Sequence, residues 1–242
     1  SHINWLSNNY NFIDSETFKK FLDNQLELIG NNILITFDDG FISTFEAADK
    51  ILDSKNLKGC FFLPFDFIKE AGQVSWKKFV SNNIYNGTLS EDDILSFQQP
   101  MGKKQIEYLI SAGHAIGSHT NSHCNLSEVS SVDVFNKELK GSKNDLERMF
   151  NVVIDMIAYP FGGLKHINST ALKQIKDSYK FCFSNIRGIN DSNTNPLAIR
   201  RQNILPDMPI SYVGFLIEGG LNWYWSNHRK RLDQLLSFSN TQ

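Results

Sequence analysis

The chain has 242 residues, 41% of them hydrophobic and 21% charged, which is enough apolar material to bury the core of one large domain. Lys and Arg number 24 against 26 Asp and Glu, a formal charge of -2 with no local basic block, so the balance excludes a polyanion-binding surface and argues against nucleic acid as a partner. No apolar run approaches the length of a membrane span and the opening SHINWLSNNY lacks the zones of a signal peptide, while Cys60, Cys124 and Cys182 form no C-x-x-C pair and are read as reduced thiols, in keeping with a cytoplasmic setting.

In chain order, residues 15–29 (SETFKKFLDNQLELI) place Phe18, Phe21, Leu22, Leu26 and Ile29 on one face of a predicted helix that Gly30 stops. A strand, ILITF, follows at 33–37 and runs into Asp38 and Asp39. Helical spacing returns over 44–57 with Phe45, Ala48, Ile51 and Leu52, and GCFFLPF at 59–65 reads as a second buried strand, completing a β-α-β unit. The alternation continues with a helix over 102–113, strand HAIGS (114–118), a long helix over 132–150, strand VVIDMIAY (152–159), a helix over 169–178, and strands KFCFS (180–184) and LAIRRQNIL (197–205).

About six or seven βα repeats of this kind demand a parallel sheet, closed into a barrel or doubly wound, with the loops after the strands gathered at one rim. Two stretches break the rhythm. Residues 66–99 are too long for an ordinary connection and are read as a helical insertion or lid beside the rim, and 187–196 (RGINDSNTNP) is a polar loop. Residues 221–240 form a predicted closing helix with a frayed end, and the whole of 1–242 is read as a single domain.

Three strand ends carry chemistry-bearing residues: Asp38-Asp39 after the first, His119 and His123 in SHTNSHCNL after the third, and PFGG (160–163) after the fourth. Singly each is ordinary, since Asp before Gly bends the chain and His114, beside Gly113, is read as a polar residue either at the surface or supporting the site from behind. Together they suggest a metal centre. Imidazoles at i and i+4 can face one cation, a carboxylate from another strand completes three protein ligands, and holding one of two adjacent carboxylates relieves their repulsion and leaves the other to take a proton.

Competing chemistries fail on composition. Thr120 stands where an H-E-x-x-H protease has its glutamate, no G-x-S-x-G elbow is present, and no thiol-protease signature surrounds Cys124.

The segments TFDDGF, AGHAIGSHTNSHCNLSEVS, LKGSKNDLERMF and IAYPFGG, in this order over about residues 15–205, resemble the successive motifs of the polysaccharide deacetylases of carbohydrate esterase family 4. The resemblance implies an α/β fold, a distorted (β/α)7-type barrel with parallel strands. It also implies one divalent metal ion, usually Zn2+, and hydrolysis of N-acetyl, sometimes O-acetyl, groups on an acetylated sugar or polysaccharide.

Carried onto matching positions, it makes Asp39, His119 and His123 the metal ligands, Asp38 the general base, and the Phe161 backbone N–H the oxyanion donor, with Tyr159, Pro160 and Gly162 as substrate contacts. Ala158 stands where many members have an arginine that steadies the base; Arg201, or its neighbour Arg200, fits that role from a later strand. The family's acid histidine has no match, and His166 and His228 are candidates by residue type. Trp76, Tyr159, Phe161 and Trp223 offer aromatic faces for sugar rings. Three readings follow: an N-acetyl-sugar deacetylase, a hydrolase of a non-sugar amide, and a glycan-binding protein without turnover.

Overall fold

The computed structural model describes residues 2–239. Two short strands, β1 (Asn11–Phe12) and β2 (Asn32–Ile33), pair in parallel, and after Leu34 the chain resumes as β3 (Ile35–Phe37). From there β3, β4 (Gly59–Leu63), β5 (Ala115–Ser118), β6 (Met156–Ala158) and β7 (Phe181–Phe183) form a parallel sheet in which spatial order equals chain order. Ile199 adds a parallel bridge to Phe183. This is the curled parallel sheet of a distorted (β/α) barrel, in which every strand points its carboxyl end at the same rim.

Alternation along the strands sorts the core into two layers. Cys60, Phe62, Met156, Ala158, Phe181, Phe183 and Ile199 face inward, where Phe18 and Leu22 of the helix Ser15–Leu22 join them. Phe61, Leu63, Ile116, Ile157 and Cys182 face outward against helical residues including Leu52, Ile106, Leu146 and Leu172. All three cysteines are unpaired, and Cys60 and Cys182 are fully buried on opposite faces of the sheet. Among the described residues no helix is long and apolar enough to cross a membrane.

The expected helix over 15–29 stops at Leu22, because Asn24 turns left-handed (φ 56°) two residues later; Leu26 and Ile29 are exposed instead of packed. The expected strand over 197–205 reduces to the single bridge at Ile199. Beyond it the Asn190 side chain takes the place of a neighbouring strand, accepting from Arg200 N–H and donating to Arg200 O, both at 2.9 Å. The helices His2–Asn9 and Ile210–Ile217 carry no signal that the sequence reading used. The closing helix spans Asn222–Ser239, and its expected end at Asn240 lies outside the described residues.

Residues 66–99 consist of short helical turns with a satellite core of Phe67, Val80, Ile84 and Ile94, against which Phe41, Trp76, Phe79 and Tyr85 pack. Phe41 meets Phe67 edge-on at 5.8 Å and forms an antiparallel bridge with Pro100, so this segment is anchored directly to the loop that follows β3.

Candidate metal centre

The turn after β3 is held by three backbone hydrogen bonds: Gly40 N–H to Asp38 O (3.0 Å), Met101 N–H to Gly40 O (2.9 Å) and Ile42 N–H to Gln99 O (2.7 Å). Asp39 and Gly40 are both left-handed, at φ 70° and 73°, and a Cβ on Gly40 would lie 3.1 Å from Leu63 Cδ2. Glycine lets the turn press onto β4 while the two carboxylates leave in different directions.

Asp39 turns toward the loop after β5. Its Oδ1 lies 3.4 Å from His119 Nε2 and 3.3 Å from His123 Nε2, and one ligand atom from each residue falls within 4.8 Å of the others. The other ring nitrogens fix the tautomers. His119 Nδ1 donates to Ala158 O at 2.6 Å and His123 Nδ1 donates to Asn83 O at 2.8 Å. A carbonyl can only accept, so each Nδ1 carries the proton and, in neutral rings, both Nε2 lone pairs point at a carboxylate oxygen. Three electron-rich atoms facing one point is the donor set of a cation site of the two-nitrogen, one-oxygen kind.

Burial works against charge on Asp39, but the His119 and His123 imidazoles, when protonated at Nε2 and so able to donate to it, outweigh burial and hold the carboxyl well below its ordinary range. Burial likewise opposes a charged His119, and Asp39 and Asp38 reverse the outcome and raise its pKa.

The loop carrying both histidines is shaped by a residue that the sequence reading overlooked. Glu138, 4% exposed, accepts from Asn121 N–H (3.1 Å), Ser122 N–H (2.8 Å) and Ser122 Oγ (2.9 Å). Asp66 adds contacts at Asn121, and Ser142 Oγ donates to Thr120 O at 2.9 Å. These ties hold Thr120 and His123 left-handed, at φ 64° and 59°, conformations in which neither residue type rests easily. On sequence alone Glu138 is one polar position of an amphipathic helix, so no local signal distinguishes it.

Asp38 turns the other way, into a bidentate pair with Arg201: Nη1 to Oδ1 at 2.7 Å and Nη2 to Oδ2 at 2.8 Å. Arg201 is itself fixed by donating to Ser184 O (2.9 Å) and Thr36 Oγ1 (3.2 Å). Burial pushes the Asp38 carboxyl up; the Arg201 charge, then His119, bring it below the ordinary value. Arg200, the other sequence candidate, instead donates to Ile189 O and lies 3.9 Å from Asp233.

After β6, Phe161 is left-handed (φ 63°) and its ring stands edge-on to His123, centroids 4.9 Å apart. Gly162, also left-handed, passes so near β7's exit that a Cβ would sit 2.6 Å from Asn185 N. Among the described residues the Phe161 N–H makes none of the turn's backbone hydrogen bonds.

A cavity of about 970 Å3 joins Asp38, Asp39, His119, His123, Phe161 and Tyr85 at the rim and extends between β3 and the segment after Ile199. Several sequence candidates lie elsewhere. Tyr159 is 1% exposed with its hydroxyl donated to Gly162 O at 2.7 Å, and Pro160 and Gly162 are buried, so these three shape the turn and offer no face to a ligand. His166 packs on Phe161 with its Nδ1 accepting from Gly163 N–H, and His228 packs on Trp225; neither lines the cavity. Trp76 belongs to the satellite core, and Trp223 is 76% exposed on the last helix. His114 is buried, not superficial, and accepts from Gly59 N–H at 3.0 Å.

Known proteins share both the sequence pattern and the fold. YxkH of Bacillus subtilis (strain 168), named for the polysaccharide deacetylases, is 22% identical over 220 residues, covering 90% of this chain and 68% of YxkH. The Streptococcus pyogenes deacetylase PplD, solved in complex with acetate, superposes with a TM-score of 0.71 at 22% identity, covering 89% of this chain and 84% of PplD. IcaB from Ammonifex degensii superposes with a TM-score of 0.66 at 17% identity, covering 90% and 86%. The family model described as polysaccharide deacetylase matches residues 27–179, well over half of the sequence, and the chain therefore belongs to the polysaccharide deacetylase family.

Proposed function

We propose that this chain is a metal-dependent hydrolase, one catalytic unit, that removes N-acetyl groups from a sugar in surface-polysaccharide or glycan metabolism. The observation that carries the reading is the pairing of two neighbouring carboxylates with opposite partners: Asp39 with two tautomer-locked imidazoles, Asp38 with Arg201. The donor set fits a divalent cation, Zn2+ by its nitrogen content, held by Asp39, His119 and His123.

When bound, such an ion supplies Lewis acidity and lowers the pKa of water toward neutrality. The remaining work falls to the protein. Asp38, kept ionised and oriented by Arg201, takes the proton from the attacking water. The Phe161 N–H, which among the described residues none of the turn's backbone hydrogen bonds takes up, donates to the oxygen on which charge develops.

The test is acetate release from N-acetylglucosamine oligomers and a panel of acetylated sugars by chelator-stripped protein, before and after reloading with zinc. Turnover restored by zinc and abolished by Asp38→Asn supports the reading. A glycan-binding role without turnover is the second reading, favoured by the position of His166 and His228 outside the cavity; retained binding with no acetate released would establish it.

A further inference from the structure

The segment between β4 and β5 contributes to the centre itself. Asn83 O orients His123 through its Nδ1, Asn83 Nδ2 donates to Ser122 O at 2.8 Å, and two residues on, Tyr85 lines the same cavity as Asp38, Asp39, His119 and His123. Phe161 packs against the His123 ring from the loop after β6, whereas Tyr85 arrives from the segment that holds His123 Nδ1.

The direction of the Tyr85 hydroxyl is set by a buried amide. Gln98, 6% exposed, accepts from Leu95 N–H through Oε1 at 2.9 Å. A backbone N–H can only donate, so Oε1 must face Leu95 and Nε2 must face Tyr85, to which it donates at 2.6 Å. The Tyr85 oxygen is therefore already an acceptor, and its own proton is left to donate. Among the described residues no hydrogen bond from that hydroxyl to a protein acceptor is formed.

Resting on the deacetylase reading, we infer that Tyr85 is a catalytic residue that donates a hydrogen bond to the acyl oxygen of the bound substrate, from the side of the centre formed by residues 66–99. A neutral phenol suits this place, because it stabilises developing negative charge without competing with Arg201 for Asp38.

The test uses the zinc-reloaded full chain and reads zinc content, acetate binding by NMR titration, and turnover. Tyr85→Phe should keep one zinc, weaken acetate about tenfold and lower kcat about 100-fold with little change in KM. Gln98→Glu keeps the phenol but replaces the donor with a carboxylate that captures its proton, and it should show the same losses. Wild-type acetate affinity in Tyr85→Phe, unchanged kcat in it, or wild-type behaviour of Gln98→Glu would each overturn the inference. A wild-type protein that binds acetate through Tyr85 but releases none from any sugar would overturn the deacetylase reading and leave the donor standing.

Discussion

Arg201 holds Asp38 through two parallel hydrogen bonds, 2.7 and 2.8 Å long, that cross from the segment after Ile199 to the end of β3. Replacing it with methionine removes the largest influence opposing burial at Asp38 and leaves His119 as the counterweight, so the carboxyl pKa rises. The acid limb of the kcat/KM profile should then move to higher pH, with stability lower by about 3 kcal/mol because one member of a largely buried pair is left alone. Denaturant titration and a pH–rate profile of Arg201→Met check both.

Removing the ion should cost stability as well as activity, since a ligand bound only by the folded state stabilises it by mass action. Chelation is expected to lower Tm and abolish turnover together, and zinc to restore both. Asp39→Ala and His119→Ala should lose the metal outright, as read by elemental analysis, whereas Asp38→Asn should retain it.

Glu138→Ala removes the acceptor of two backbone N–H groups and one hydroxyl in the loop between the histidines. The expected result is a 10- to 100-fold loss of metal affinity with the sheet intact, measured by competition with a coloured chelator alongside circular dichroism. Unchanged affinity would show that the loop holds its shape without this carboxylate.

His114 provides a pH dependence unrelated to the metal. Burial lowers its pKa, and neutral Nδ1 accepts from Gly59 N–H. The folded state favours the neutral ring, so its contribution is present above the unfolded value of about 6.5 and is lost as pH falls from there through the lowered folded value. His114→Gln, which can still accept from Gly59, should flatten the slope of unfolding free energy between pH 7.5 and 5. An identical slope in both proteins would remove His114 as its source.

Much of this was legible in the sequence because it is local. Short continuous apolar runs such as GCFFL and MIA mark buried strands, and a strand's end fixes where Asp38, Asp39, His119 and His123 emerge. What could not be read depends on contacts across the chain. Arg200 and Arg201 are adjacent and alike, and only the path of the chain after Ile199 decides which meets Asp38. Tyr159 stands two residues before Phe161 in the motif, yet it follows the inward Ala158 and so packs into the outer core layer, while Phe161 lies in the left-handed turn beyond the strand. Leu26 and Ile29 continue a helical pattern that Asn24 had already ended, and Glu138, Asn83 and Tyr85 acquire their places only when the segments between strands pack over the rim.

The seam between β3 and the residues after Ile199 is crossed by Arg201's side chain, with Thr36 and Asp38 as its anchors. The same bolt thus fastens the cylinder and aims the carboxylate proposed as the base. A neutral amide at position 38, the usual device for trapping an uncleaved complex, keeps one good acceptor oxygen but forfeits the charge, so a trapped crystal form would report a rim looser than the working one. Arg201→Lys, which spares that charge while giving up the fork, is the control that separates the shape of the gap from the chemistry beside it.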